Sequence, residues 1–487
     1  MKTTIKNIIF ALVALTVMSS CMDWLDVKPK TAVSEEELFS REEGFLEALT
    51  GIYMQMSNTR LYGRELSYGI VDILAQRYEP TVNFAGREPV YADPDWYRFP
   101  SDRTKPYIDD IWRASYATIA NINNLLEWME RNAHVITTPG YREVLKGEAL
   151  GLRAFIYTDL LRLYGPIFKN AGGPQSPTLP YRKEFSRADM PLSTAAQVVQ
   201  FIVEDLRQAE ELLADDPMWM QFVTGTESLV LGRDPFLIAR YKRMNLMAVK
   251  ALSARVHLWA GNTAEAARYA QEVVDARRSD GEPMFQLVTN NVRDRVFSTE
   301  LIFSMSVHRF NEQADRDFVI NMANTYLIYD RARLNQMFDV TVDGANDMRY
   351  RDGQGFNFGA VGAVVAKYDQ SAMFSADIRN TIPLIRLSEM YYILAECAAD
   401  FETTRKLLSA VREARGTDEI RSITTAEQKL HELMKEYRKE FYAEGQLWYF
   451  YKRHFYRTFL FCPFPTDMMD ENYRFPLPEN EVEFGNY

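Results

Sequence analysis

Residues 248–276 read AVKALSARVHLWAGNTAEAARYAQEVVDA, and this stretch decides the fold class. The pattern predicts two helices joined across Gly261 and Asn262, because glycine often ends a helix and asparagine often starts one. Small side chains let two antiparallel helices approach closely, and this pair carries Ala254, Ala260, Ala264, Ala267 and Ala270. Such a helical hairpin buries its apolar face by stacking on neighbouring hairpins.

A second stretch has the same organisation. Residues 388–416 read SEMYYILAECAADFETTRKLLSAVREARG, with a short turn near Asp400. Both stretches resemble tetratricopeptide units, but such units are unevenly spaced along the chain. We therefore predict an all-α scaffold of tetratricopeptide-like helical hairpins with long irregular loop insertions.

Helical periodicity continues through much of the chain. It predicts helices at 106–133, 141–164, 193–214, 240–260, 263–277, 384–399, 402–415 and 425–450. Long irregular runs separate them, at 59–105, 166–190, 215–238 and 340–382. A rigid scaffold commonly carries its binding residues in such loops, so we expect function there.

The N-terminus has the features of an export signal. Residues 1–20 read MKTTIKNIIFALVALTVMSS, with two lysines before a short apolar core and two serines before Cys21. An apolar core of about ten residues is too short to span a bilayer and is typical of a secretory signal peptide. A cysteine at the cleavage point resembles a bacterial lipoprotein signal, in which Cys21 is acylated. An ordinary secretory signal with an incidental cysteine is the alternative.

Composition indicates the domain organisation and excludes some classes of protein. We predict that residues 21–487 form a single domain, because no linker-like stretch interrupts them. The 67 acidic residues outnumber the 56 lysines and arginines, which is not the charge balance of a nucleic-acid-binding protein. Three cysteines in 487 residues do not make a disulfide framework. Whether Cys397 and Cys462 pair stays open.

Motifs for catalysis or for a cofactor are weak. The five histidines include no H-E-x-x-H pair, and no G-x-S-x-G elbow occurs. The run with Gly353, Gly355, Gly359 and Gly362 lacks a following Gly-Lys-Ser/Thr, and we interpret it as a flexible insertion. We predict a protein that is not an enzyme and has no cofactor.

One acidic run was considered as a calcium loop. It lacks the bidentate glutamate of position 12, where Tyr350 stands instead. We therefore predict an acidic turn and no metal site at Asp339, Thr341, Asp343, Gly344 and Asp347.

Six blocks follow one another in a characteristic order. They are DWLDVKP (23–29) with EEELFSREEGFLEALTGIY (35–53), the Trp112, Tyr116, Ile119 and Asn123 helix, GEALGLRAFIYTDLLRLYGPI (147–167), IRLSEMYYILAEC (385–397), RKEFYAEGQLWYFYKR (438–453) and FPLPENEVEFGN (475–486). In this order they resemble the SusD/RagB family of outer-membrane lipoproteins. The chain departs from the family pattern at Gln446-Leu447, usually His-Arg, and at Tyr449-Phe450-Tyr451, where an Asp is usual.

The resemblance implies a nutrient-capture protein without catalytic activity. Members of this family are anchored by lipid at the outer membrane and face the cell exterior. They sit as a lid over a TonB-dependent transporter of the SusC type and pass oligosaccharides to it, or peptides in some members.

Aromatic residues indicate where a glycan would bind, because sugar C–H faces pack against aromatic faces. The loop YADPDWYRF (91–99) precedes the Trp112 helix, in a region where family members often carry ligand-facing aromatics. The candidate ligand-binding residues are Tyr91, Asp95, Trp96, Tyr97, Arg98 and, in a second loop, Trp219. The alternative is that Trp96 or Tyr97 pins a long loop to the scaffold, since large aromatics are usually substantially buried. Helical patterns make Trp112, Trp128, Trp259 and Trp448 core residues instead.

Three other functions stay open at this point. Peptide capture would use grooves that pair with a peptide backbone. A tetratricopeptide scaffold that binds only proteins would have a concave apolar groove and no sugar affinity. A surface glycosidase would need two opposed carboxylates roughly 5 to 10 Å apart.

Replacing the cysteine tests the lipid anchor. We expect Cys21→Ala to leave the protein exported but to release it from the membrane fraction, because all acyl chains would be attached at that residue. Fractionation without detergent, in cells that lack the transporter partner, measures this. A variant that stayed membrane-bound there would contradict the anchor.

Overall fold

The computed structural model describes residues 34–79, 97–216, 235–237, 239–318, 327–360, 362–372, 378–464 and 466–485. The helices are α1 (Glu35–Leu38), α2 (Glu42–Met56), α3 (Ile70–Leu74), α4 (Lys105–Asn132), α5 (Tyr141–Tyr164), α6 (Ala195–Leu212), α7 (Leu246–Trp259), α8 (Thr263–Val274), α9 (Phe310–Phe318), α10 (Arg331–Met337), α11 (Leu387–Cys397), α12 (Phe401–Ala414), α13 (Ala426–Glu440), α14 (Gln446–His454) and α15 (Glu479–Phe484). The strands are β1 (Pro177–Leu179), β2 (Ser193–Thr194), β3 (Leu301–Ser306), β4 (Ile328–Tyr329), β5 (Phe356–Gly359), β6 (Gly362–Val365) and β7 (Thr381–Arg386).

The mostly helical fold and both predicted hairpins are confirmed. In the first hairpin, Gly261 has a φ of +80°, and the Asn262 side chain caps α8 by accepting a hydrogen bond from the Glu265 N–H at 3.3 Å. In the second, Asp400 caps α12 in the same way through the Thr403 N–H at 2.7 Å. Helix α8 packs against both α7 and α11, so the two hairpins are neighbours.

The alanines of the first hairpin differ in burial. Ala254 and Ala270 are fully buried, Ala260 and Ala267 are half-buried, and Ala264 faces solvent. Ala266, which the hairpin pattern did not single out, is also fully buried. The close helix contact on α8 therefore runs along Ala266 and Ala270.

Short strands occupy parts of the chain that were predicted to be irregular or helical. β3 and β7 pair antiparallel, with Leu301 opposite Arg386 and Ser306 opposite Thr381. The predicted helix at 384–399 therefore begins only at Leu387, because the residues before it belong to β7. The glycine-spaced run that was interpreted as a flexible insertion forms β5 and β6, which pair with β4 in the order β4-β6-β5.

The prediction of one helix over 425–450 is wrong, since α13 ends at Glu440 and α14 begins at Gln446. Ala443 and Gly445 between them have φ values of +58° and +72°. The Ala443 N–H donates to Asp72 Oδ2 at 3.0 Å, and the Glu444 carboxylate accepts from Arg386 Nε at 3.0 Å. Buried charged groups therefore fix the break.

Three arginine side chains, those of Arg349, Arg386 and Arg415, have no exposed area. Arg386 Nη1 donates to Glu300 Oε2 at 3.0 Å and to Glu440 Oε1 at 2.6 Å. Arg415 Nη2 donates to the same two carboxylates, at 3.0 and 2.7 Å. The shared carboxylates tie β7 and α12 to α13 and to the segment that precedes β3.

Arg349 extends this network, which we call the buried ion cluster (Glu300, Arg349, Arg386, Arg415, Glu436 and Glu440). Arg349 Nη1 donates to Glu436 Oε2 at 3.0 Å and to Glu440 Oε2 at 2.9 Å. Burial would raise the pKa of Glu440, but the guanidiniums of Arg415, Arg386 and Arg349 hold this pKa well below its usual range. Glu440 is therefore a carboxylate anion in the folded protein at neutral pH.

Apolar side chains from Phe39 to Phe475 belong to one hydrophobic core cluster. Three of the tryptophans predicted for the core are buried, and Trp128 is half-buried and stacks on Phe39. Cys397 and Cys462 are free thiols, which settles the open question of their pairing. Among the described residues, no helix is both long enough and apolar enough to cross a membrane.

Two alanine substitutions on α8 test the hairpin packing. We expect Ala266→Leu to lower the free energy of unfolding by about 1–3 kcal/mol, because the added methylenes have no space between the helices. Ala264→Leu is the matched control and should change it by less than about 0.5 kcal/mol, because that position is exposed. Urea denaturation measures both, and equal stability of the two variants would contradict the packing.

Candidate functional site

A cavity of about 750 Å³ lies beside α9, β5, β6 and the turn before β7. Four of its lining residues carry carboxamides, so we call it the amide cavity. The lining residues are Asn311, Ala314, Phe318, Asn357, Val365, Tyr368, Asp369, Gln370, Ser371, Arg379 and Asn380.

Packed aromatic rings form the base of the amide cavity. Phe318 and Tyr368 are buried there, with ring centroids 5.5 Å apart. Phe310 meets Tyr368 edge-on at 5.1 Å, and Tyr68 lies 5.7 Å from it. The Tyr368 hydroxyl donates to Ala443 O at 2.8 Å, so this ring is anchored to the turn between α13 and α14.

Two polar residues of the lining are already occupied by the protein itself. Asp369 accepts from Arg295 Nη1 at 2.9 Å and from the Ser371 hydroxyl at 2.6 Å. Partial burial would raise the pKa of Asp369, but these two partners hold it below its ordinary value. The Gln370 carboxamide donates to Tyr368 O at 2.9 Å and accepts from the Asn380 N–H at 2.7 Å. This second bond supports the left-handed backbone of Asn380, whose φ is +56°.

Three side chains of the lining are available to a ligand. Within the described part of the chain, the carboxamides of Asn311, Asn357 and Asn380 have no hydrogen-bond partner. Each can donate two hydrogen bonds through its NH₂ group and accept through its carbonyl oxygen. These three carboxamides are neutral donors and acceptors above an aromatic base, which suits a ligand rich in hydroxyl or amide groups. Arg379 adds a charged group to the same lining.

Of the candidate residues from the aromatic loop, Tyr97 and Arg98 fall within the described residues. Tyr97 is half-buried; its hydroxyl donates to Leu74 O at 2.7 Å, and its ring stacks on Trp448 at 5.9 Å. Arg98 is exposed, and neither residue lines the amide cavity. Tyr97 thus makes the loop-pinning contacts considered as the alternative from sequence. Outside the described residues lie the remaining candidates, Tyr91, Asp95, Trp96 and Trp219, and the lipidation candidate Cys21.

The acidic run considered as a calcium loop is paired with cations. Asp339 lies 2.7 Å from Lys435 Nζ, and Asp343 lies 2.8 Å from Arg412 Nη2. Asp347 is buried against Arg349. No set of three or more histidine, cysteine or acidic side chains in the described ranges is arranged to hold a metal ion.

Sequence reasoning missed the amide cavity because its open residues are dispersed along the chain. Asn311 lies on α9, Asn357 on β5 and Asn380 before β7. No motif spacing connects them. They line one cavity because α9, β5 and the segment before β7 pack next to one another. The aromatic signal pointed to another loop.

Removing one hydroxyl tests the role of Tyr97. We expect Tyr97→Phe to lower the free energy of unfolding by about 1–2 kcal/mol, since Leu74 O loses its donor. Arg98→Ala, at an exposed neighbouring position, should change it by less than about 0.5 kcal/mol. Denaturant titration measures both. Unchanged stability of Tyr97→Phe, together with lost ligand affinity, would assign the hydroxyl to a ligand site.

Comparison with known proteins agrees with the fold. Residues 23–226 match the SusD-like_3 family, described as starch-binding and associating with the outer membrane, and residues 321–484 match the SusD_RagB model of the SusD family. SusD-like proteins P38 and P25 of Formosa agariphila are 26% and 25% identical over 208 and 170 residues, or 42% and 33% of this chain. The matches span 36% and 30% of those relatives, so the chain covers about a third of their length.

Solved structures share the fold over nearly the whole chain. A SusD superfamily protein from Bacteroides thetaiotaomicron has a TM-score of 0.68 at 21% identity, covering 91% of this chain and 98% of its own. A structure described as a putative sugar binding protein, from Bacteroides vulgatus, has a TM-score of 0.62 at 22% identity, covering 83% and 85%. The solved structures thus share the fold, and the two family matches, over residues 23–226 and 321–484, show that the chain belongs to the SusD/RagB family.

Proposed function

We propose that this protein is a lipid-anchored glycan-binding protein of the outer membrane that passes oligosaccharides to a TonB-dependent transporter of the SusC type. Family membership supports the association with the outer membrane, because the matched family is described in those terms. The sugar binding protein from Bacteroides vulgatus supports the ligand class by its fold. The acyl anchor would be at Cys21, and the protein would face the cell exterior.

The observation that carries the ligand class is the set of open carboxamides in the amide cavity. A sugar hydroxyl can both donate and accept a hydrogen bond. A carboxamide can accept from it through the carbonyl oxygen and donate to it through the NH₂ group, without a net charge. Asn311 is exposed and Asn357 is half-exposed, so a ligand can reach them. The aromatic base is buried, so stacking on a sugar face would have to come from elsewhere; we propose Trp96 and Trp219 for that role.

The alternatives make different demands on this cavity. A glycosidase needs two facing carboxylates. The described lining of the amide cavity contains one carboxylate, that of Asp369, and it is bound to Arg295. Peptide capture is the closest competitor, because carboxamides also pair with a peptide backbone. A scaffold that binds only proteins gives no reason for a polar cavity of this size.

A binding screen separates these functions. Calorimetry of the mature chain against neutral oligosaccharides and against peptides should show glycan binding. We expect the double variant Asn311→Ala, Asn357→Ala to weaken that binding by about 1–3 kcal/mol, since two hydrogen-bonding groups are lost. Asn346→Ala is the matched control, because Asn346 is exposed and lines no part of the amide cavity.

Each competing result has its own meaning. Binding of peptides without glycans would replace the proposal by peptide capture, and release of shorter sugars during the titration would indicate a glycosidase. Binding of neither class would leave the protein-interaction scaffold. Full affinity in the double variant would move the glycan site out of the amide cavity, and Trp96→Ala would then be measured against the same ligand.

A further inference from the structure

A second cavity of about 660 Å³ adjoins the amide cavity, and the two share Asn380. Its described lining contains cationic side chains and no carboxylate. The lining residues are Thr50, Tyr53, Met54, Ser57, Asn58, Thr59, Lys242, Arg243, Met305, Ser306, Val307, His308, Gln313 and Asn380. We call it the arginine cavity because Arg243 is its most firmly held polar group.

The guanidinium of Arg243 is fixed on three sides. It lies between the rings of Tyr53 and Phe236, with its Cζ atom 4.6 Å from each ring centroid. Its Nε donates to Glu148 Oε2 at 2.9 Å. Tyr53 is itself fixed, since its hydroxyl donates to Glu148 Oε2 at 2.6 Å and accepts from the Met244 N–H at 2.8 Å.

The outer end of this guanidinium has unused donors. The Arg243 side chain makes no hydrogen bond other than that of Nε to Glu148, so neither terminal nitrogen has an acceptor among the described residues. Nη2 is buried, while 16% of the side chain remains exposed. Leaving a buried guanidinium N–H donor without an acceptor costs stability. Few such groups persist in native proteins without a functional reason. Glu148 does not accept from Nη2: Oε1 is bound by Arg240, and Oε2 accepts from Tyr53 and from Arg243 Nε.

The rest of the lining also suits an anion. The side chains of Ser306 and His308 are exposed and have no hydrogen-bond partner within the described ranges, so both can turn a donor towards a ligand. Lys242 adds positive charge to the wall. A guanidinium recognises planar or trigonal oxyanions by two parallel hydrogen bonds, and its fixed orientation reduces the entropy lost on binding.

On the basis of the proposed glycan-binding function, we infer that the ligand is an acidic glycan: the arginine cavity binds its sulfate-ester or carboxylate group while neutral sugar hydroxyls occupy the amide cavity. A purely structural Arg243 would account for the bond to Glu148. It would not account for the unused Nη2 donor, or for a polar cavity lined by cations without a carboxylate.

Matched ligand pairs test this inference. The first pair is a sulfated oligosaccharide and its desulfated form, and the second is a uronate oligosaccharide and its carboxyl-reduced form. We expect the parent protein to bind at least one acidic form about tenfold or more tightly than its neutral counterpart, and the preference to fall as NaCl is added. The pair that shows the preference identifies the oxyanion.

Variants then assign the preference to the cavity. Arg243→Gln should bring the acidic-to-neutral affinity ratio close to one. Arg309→Gln is the matched control, because Arg309 is highly exposed and lies next to His308 without lining the cavity, so the parent ratio should persist. If Arg243→Gln fails to fold by circular dichroism, His308→Ala replaces it and should lower the ratio several-fold.

The outcomes distinguish this inference from the proposed function. Equal affinity of the parent protein for the acidic and neutral forms would overturn the acidic-glycan inference and leave glycan binding intact. A preference that survives both Arg243→Gln and His308→Ala would overturn the assignment to this cavity. Absence of binding to every glycan would overturn the proposed function itself.

Discussion

The buried ion cluster is the constraint on which the rest of this structure depends. Taking a guanidinium out of water costs several kcal/mol, and the cost is recovered only by well-placed carboxylates. Glu440 meets three buried arginines and Glu300 meets two, so α13, α12, β7 and the segment before β3 have to converge on one point. The cluster thus specifies the geometry of the scaffold more tightly than apolar packing alone would.

The same strand that enters the ion cluster also reaches the candidate site. β7 ends at Arg386, inside the cluster, and begins at Thr381, next to Asn380. Asn380 belongs to the lining of both cavities. At the other side of the amide cavity, Tyr368 is tied to the turn at Ala443. Part of the lining of the cavities is therefore attached to the strand and the turn that the buried charges hold, which favours preorganised recognition.

The helices could be predicted from local sequence patterns. The helix break and the amide cavity depend on contacts between residues that are distant in sequence. The hairpin at 248–276 could be predicted because alanine spacing and the Gly261-Asn262 joint act within a few residues. The break at Ala443 could not, because its cause is Asp72, which lies 371 residues away. The amide cavity was missed for the same reason: Asn311 and Asn357 are distant in sequence and line one cavity only in the folded chain. Tyr97 shows a different limit of sequence reasoning: an aromatic residue in a loop can be a structural anchor as readily as a ligand contact, and the sequence pattern is the same for both.

The long reach of these contacts has a consequence for the order of folding. Besides the bond between Asp72 and Ala443, Arg77 Nη1 donates to Arg438 O at 2.7 Å across 361 residues. The buried Asp72–Arg77 pair thus takes hydrogen-bond partners from backbone 371 and 361 residues further along the chain, in addition to the local Tyr78 hydroxyl. Contacts of such sequence separation form slowly, because a long loop must close first. The contacts of Asp72 and Arg77 are therefore complete only when α13 and the turn beyond it have docked, which couples the folding of these two distant parts of the chain.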